Sequence, residues 1–208
     1  MTSSALGIVL GLLVGLRHAF EPDHLTAVST LASDARGAQH GAMLGILWGL
    51  GHTISLVVVG SILVLAGATL PARAAVGFEL CVAAMLLVLG ARAIALAVRR
   101  EPSHGHVHRA PTQRTRWRPF VVGLIHGLAG SGALTALVFA QLPGTAARLA
   151  YLAVFGTGSM AGMAIASGAA GATLDLVARS ELVQRRIGVT TGVVSIMVGL
   201  VWGIPLLV

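Results

Sequence analysis

Lysine is missing from these 208 residues: all 14 basic side chains are arginine, set against 7 acids for a formal net charge of +7. Charge of either sign is scarce, at 10% of residues. A soluble domain carries about 25% charged residues. So little charge cannot cover a globule, which excludes a soluble enzyme. Hydrophobic residues make up 56% of the chain, and that excludes disorder. The single cysteine, Cys81, excludes an internal disulfide and any CxxC metal site. It lies in an apolar run and reads as inert filling. No GxxxxGK[ST] stretch is present, so the chain is not expected to hydrolyse ATP. The first apolar run has neither a basic region before it nor a small-residue cleavage site, and is expected to stay in the mature protein. The arginines lie between apolar runs, which points to membrane orientation rather than nucleic acid.

What is present is apolar sequence in long blocks. Six segments emerge, near 4–32, 40–68, 74–98, 119–142, 147–173 and 185–207. Each exceeds the roughly 20 residues that a membrane-spanning helix needs. The expected fold is therefore all-α, a polytopic membrane protein of about six helices. Pro71 and Pro143 punctuate the second and fourth segments. The stretch 99–118 is the one clearly hydrophilic connection. Counting arginines in the connections places ten on one side, in 99–118, 174–186 and at Arg36. Arg73 and Arg148 alone fall on the other. The positive-inside bias makes the ten-arginine side cytoplasmic and puts both termini outside.

The two halves echo one another. GLRHAFEPDHLTAV at 15–28 resembles GLIHGLAGSGALTAL at 123–137, with His18 opposite His126. WGLGHT at 48–53 resembles FGTGSM at 155–160, and LVLGARAI at 87–94 resembles IMVGLVWGI at 196–204. The offsets are 107 to 109 residues in each case. Three spans per half force opposite topologies, the inverted-repeat arrangement of many transporters. The expected organisation is a first three-helix repeat at 1–98, a His/Arg-rich cytoplasmic loop at 99–118 and a second repeat at 119–208.

The chemistry concentrates in His18-Ala19-Phe20-Glu21-Pro22-Asp23-His24, in the middle of the first segment. An ionisable group at the bilayer centre costs roughly 2.5–3.5 kcal/mol on insertion scales and marks function by default. On an ideal helix His18, Asp23 and His24 point in three directions. Pro22 changes that, because it cannot donate to the His18 carbonyl and its ring clashes there. The helix is expected to kink or unwind between His18 and Pro22, which would let two imidazoles and a carboxylate meet. That donor set suits a borderline divalent metal such as nickel, cobalt, zinc or copper(II). His52 in GLGHTISL is a candidate fourth ligand, and His126 in GLIHGLAGSG a candidate fifth. Taken singly, each of these two is more readily a helix–helix hydrogen-bond donor. Arg17 and Glu21, spaced i, i+4, read as a neutralising pair. Glu79 reads as structural, and His40 lies near a membrane boundary. His104, His106 and His108 form a weak cation-binding tract or a solvated loop.

Two other functions fit parts of this pattern. The same donors could hold a catalytic zinc in an intramembrane hydrolase. The histidines could instead relay protons in an exporter of small organic solutes. A serine nucleophile at Ser131 is disfavoured, since no histidine follows His126 to serve as its base.

The H-x4-D-H spacing of His18, Asp23 and His24, set in GLRHAFEPDHLTAVST, resembles the signature helix of the nickel/cobalt transporter family. GLGHT at 49–53 and HGLAGSGAL at 126–134 also resemble segments of that family and its short six-span relatives, which include urease-associated and nickel/cobalt efflux permeases. The resemblance implies passage of Ni²⁺ or Co²⁺ across the cytoplasmic membrane by a secondary transporter, not an enzyme. It implies metal selection by His18, Asp23 and His24, with His52 matching the histidine of the following helix. Long members have eight spans, and this chain has six. Uptake is slightly favoured over efflux. No resident cofactor is implied, since the metal is the substrate. The implied partners are that ion and the bilayer, with a homo-oligomer or a metallochaperone compatible and nucleic acid excluded.

Overall fold

The computed structural model describes residues 2–32, 37–99, 117–142, 144–177 and 180–207. Every described element is helical. In chain order they are α1 (Thr2–His18), α2 (Pro22–Ala32), α3 (Ala38–Ala66), α4 (Ala72–Arg99), α5 (Arg118–Gln141), α6 (Thr145–Val177) and α7 (Glu181–Gly203), closed by a 3-10 turn at Ile204–Leu206. α1 and α2 together form the first expected segment, and the other five follow in order. Helices α3, α4, α6 and α7 (the last with its 3-10 turn) are each long and apolar enough to cross a membrane. The histidines of the 99–118 stretch, together with Arg36 and Arg179, lie outside the described residues.

The packing suits lipid rather than water. Large apolar side chains such as Ile62, Leu65, Val88 and Val201 face outward. The inward faces of α3, α6 and α7 are rich in glycine and serine, including Gly45, Gly49, Ser55, Gly158, Ser159 and Ser195. Hydrocarbon gives no hydrophobic drive for helix association, so close backbone approach and internal hydrogen bonds must hold the bundle. Cys81 faces outward on α4, rather than filling the core.

The helices pair across the two halves of the chain. α3 packs on α5 and α6, α1 on α6, and α4 on α7. The tightest contacts recur in pairs at the repeat offset. A Cβ on Gly15 would run into the Phe155 carbonyl oxygen, and one on Gly123 into that of Trp48. Likewise Gly51 abuts the Phe120 carbonyl, and Gly158 that of Leu12. On α4 and α7, Gly90 meets the Gly192 carbonyl and Gly199 that of Ala83. Between these two glycines, the buried Ser195 hydroxyl donates to the Leu86 carbonyl at 2.8 Å. Ser195→Ala is expected to lower stability by about 1 kcal/mol, within the range of interhelical hydrogen bonds in bilayers. Thermal unfolding in detergent checks this, and an unchanged midpoint would show the bond to be energetically idle.

The break in the first segment falls where proline demands it. Phe20 N–H donates to the Arg17 carbonyl at 2.9 Å and Glu21 N–H to the His18 carbonyl at 3.1 Å, so the chain tightens through two short turns. Pro22 then starts α2, where its missing N–H costs nothing. Hydroxyls along α2 turn back to the backbone: Thr26 donates to the Pro22 carbonyl at 2.6 Å and Ser29 to that of Thr26 at 2.8 Å. These bonds spare α2 unpaired polar groups inside the membrane.

Candidate metal site

The break turns α2 so that Asp23 and His24 return toward His18. The His18 and His24 rings lie 4.5 Å apart between centroids. α3 brings His52 to 5.4 Å from His18 and 5.3 Å from His24. α5 brings His126 to 4.2 Å from His24. All five candidate ligands of the sequence thus converge, from four helices. His24, His52 and His126 are at most 2% exposed, and Asp23 is 8% exposed. Glycines set these distances. Gly123 and Gly127 of α5 touch the backbone of α3 at Trp48 and His52, so no side chain holds the two helices apart.

The polar atoms divide into those that are held and those that are free. Asp23 accepts from His24 Nδ1 at 3.1 Å through one carboxylate oxygen and from His126 Nε2 at 2.8 Å through the other. Glu21 pairs with His18 Nδ1 at 3.0 Å. Among the described residues, Nε2 of His18, Nε2 of His24, both nitrogens of His52 and Nδ1 of His126 are buried without a partner. A buried polar group without a partner costs roughly 1–3 kcal/mol. Four such imidazoles side by side call for something to bind. Their donor atoms fall into two groups whose members all lie within 4.8 Å of one another: His18, His24 and His52, and Asp23, His24 and His126. Carboxylates that hold one ring nitrogen and leave the other free are the usual second layer of a histidine metal site.

Two features depart from sequence expectation. Glu21 pairs with His18 rather than with Arg17, because the i, i+4 rule holds only on a continuous helix and the break lies between them. Three further side chains had no sequence signal strong enough to raise them. Trp48, 1% exposed, stands 5.6 Å from the His24 ring and 5.8 Å from that of His126. Its Nε1–H is unpartnered among the described residues. Phe155 faces His18 at 5.3 Å. The Ser159 hydroxyl is buried and unpartnered among the described residues, and it stands opposite His52 in the sequence echo of FGTGSM with WGLGHT. The one pointer to Trp48 was its i, i+4 spacing to His52, which places both on one face of α3. His40 is exposed in the first turn of α3 and takes no part.

Glu21→Gln should weaken metal binding by roughly 10–100-fold, the usual cost of removing a second-layer carboxylate, without abolishing it. Isothermal titration with Ni²⁺ reads the change, and unaltered affinity would show that the exposed Glu21 does not position His18.

Apolar helices without and buried imidazoles within, around a proline-broken helix, define a class: polytopic membrane proteins that handle a metal ion. The chain is 30% identical over 201 residues, covering 93% of itself and 88% of its relative, to the urease accessory protein UreH of Bacillus sp. (strain TB-90). It therefore belongs to the nickel/cobalt transporter family and is a multi-pass metal transporter-type protein rather than an enzyme. No protein-family model matches the chain, and no solved structure matches it.

Proposed function

We propose that the protein carries Ni²⁺ or Co²⁺ across the cytoplasmic membrane through the site lined by His18, Asp23, His24, His52 and His126. The observation that carries this reading is the set of unpartnered imidazole nitrogens buried together beside one carboxylate. Neutral imidazoles replace the water that a borderline cation sheds, and Asp23 offsets part of its charge. Calcium and magnesium would require more oxygen donors than these residues supply. The urease connection of the relative favours nickel.

The arginine bias supports an orientation with the 99–118 loop in the cytoplasm and both termini outside. The paired close approaches at offsets of 107 to 109 residues support an inverted repeat, 1–98 against 119–208, that rocks about the site. In that orientation the membrane potential favours uptake: two charges moving inward gain about 4.6 kcal/mol per 100 mV. A metallochaperone is the natural acceptor on the cytoplasmic side.

Radiolabelled Ni²⁺ flux into proteoliposomes that contain this protein alone tests the reading. Wild-type protein should carry nickel faster when the interior is negative. His18→Ala and Asp23→Ala should insert normally and carry none. Normal flux in both variants would overturn the assignment.

A further inference from the structure

The five ligand side chains do not form one shell. They form two three-donor groups with a single residue in common, His24. The first group, His18, His24 and His52, is all imidazole. The second, Asp23, His24 and His126, contains the site's one fully inward carboxylate. The two nitrogens of His24 stand differently. Its Nδ1 is committed to Asp23 at 3.1 Å, and the nitrogen left for His18 and His52 is Nε2, buried and unpartnered among the described residues. A neutral imidazole has one lone pair to give. With Nδ1–H donating to Asp23 that lone pair lies on Nε2, and binding an ion through Nδ1 beside Asp23 requires the ring proton to pass to Nε2, so His24 serves one position at a time.

The groups also differ in depth. His18 keeps 15% of its side chain exposed and is tied to Glu21, which is 53% exposed. His52, at the inner end of the first group, is 0% exposed. In the second group His24 and His126 are at most 2% exposed and the Asp23 side chain 12%, and among the described residues no exposed carboxylate comparable to Glu21 is tied to it. Trp48 lies against the His24 and His126 rings, and Phe155 against His18, so each group has its own aromatic wall. These walls are repeat counterparts, as are His18 and His126. Each half of the chain thus contributes one histidine at equivalent positions, and His24 stands between them.

The geometry points to two alternate positions for one ion, a shallow one among His18, His24 and His52 and a deep one among Asp23, His24 and His126, with hand-over through His24. The inference rests on the metal-transport reading and adds the order of steps. A cation arriving past Glu21 is bound first by the three imidazoles. It then passes the His24 ring to the position where Asp23 can neutralise part of its charge. His126 is a ligand of the deep position alone, and His52 of the shallow position alone.

X-ray absorption at the nickel edge separates these positions, using the full-length protein loaded with Ni²⁺ alone. His126→Asn should retain one ion in the shallow position, with the scattering of three imidazoles. His52→Asn should retain one ion with two imidazoles and a carboxylate. Each variant should lose flux by at least about tenfold, as expected when one binding step is removed from a metal site. Loss of all bound nickel in either variant, while wild type binds one ion, would overturn the proposal in favour of a single shell. So would wild-type flux in His126→Asn. The same coordination change in both variants would also contradict it. Alanine at either position supplies a second variant should asparagine disturb folding, with helical circular dichroism as the control. Split coordination in the variants with no flux in wild-type protein would leave the two positions standing and remove transport. Wild-type flux with unsplit coordination would do the reverse.

Discussion

His24→Ala should cost more nickel affinity than loss of any other ligand, and should abolish flux. His24 is the residue common to both donor groups, and its ring lies between 4.2 and 5.3 Å from those of His126, His18 and His52. Second-layer changes alone cost roughly 10–100-fold in metal affinity, so removing the shared ligand should cost at least about 100-fold. The variant also strands Asp23, whose carboxylate keeps only its bond from His126 Nε2. A buried charge that loses a partner destabilises the fold, so a lower thermal midpoint should accompany the loss of binding. His24→Asn separates these effects, because an amide can still donate to Asp23 while offering the metal a poorer ligand. The expected result is a midpoint partly restored with flux still absent. Affinity in His24→Ala equal to that of His52→Ala would show that the rings share the ion evenly.

The second large effect is expected at a residue with no side chain. Gly123 lets α5 lie directly on α3, where any Cβ would meet the Trp48 carbonyl oxygen and come within 2.9 Å of the His52 backbone nitrogen. Neither neighbour is a flexible side chain that could swing aside. Gly123→Val should therefore force the two helices apart and cost more than about 4 kcal/mol, the range reserved for severe core overpacking. It would also draw His126 away from Asp23 and His24, one helical turn further on. Gly77→Val is the matched control, since nothing lies within 4 Å of a Cβ there. Expression level and detergent-solubilised monodispersity read both variants. A well-behaved Gly123→Val protein that binds nickel normally would mean that α3 and α5 tolerate separation.

Much of this was legible in the residues. The six apolar segments are found in order, and the first is broken where Pro22 stands, because an imino acid cannot continue a helix through the His18 carbonyl. That His18, Asp23 and His24 meet also follows from the break. What lay beyond reach is the direction in which α2 leaves it. That direction decides that Glu21 holds His18 and that Asp23 faces both His24 and His126. Spacing rules on a straight helix gave Glu21 to Arg17 instead. The partition into two donor groups depends on how the His24 ring is set among its neighbours, a property of ring placement that no spacing encodes. Trp48 and Phe155 read as ordinary apolar residues until α3, α5 and α6 close around the histidines. The internal echo was visible as weak similarity; the close approaches of Gly15, Gly123, Gly51 and Gly158 to carbonyls of the opposite half fall at similar offsets, which no sequence spacing alone encodes.

The most direct test of the account is anomalous diffraction at the nickel absorption edge from crystals of the wild-type protein soaked in Ni²⁺. The account predicts a peak inside the bundle, within bonding distance of His24 Nε2 together with His18 and His52, or of Asp23 together with His24 and His126. A nickel peak only at the histidines of the 99–118 loop, with none among these five side chains, would contradict it.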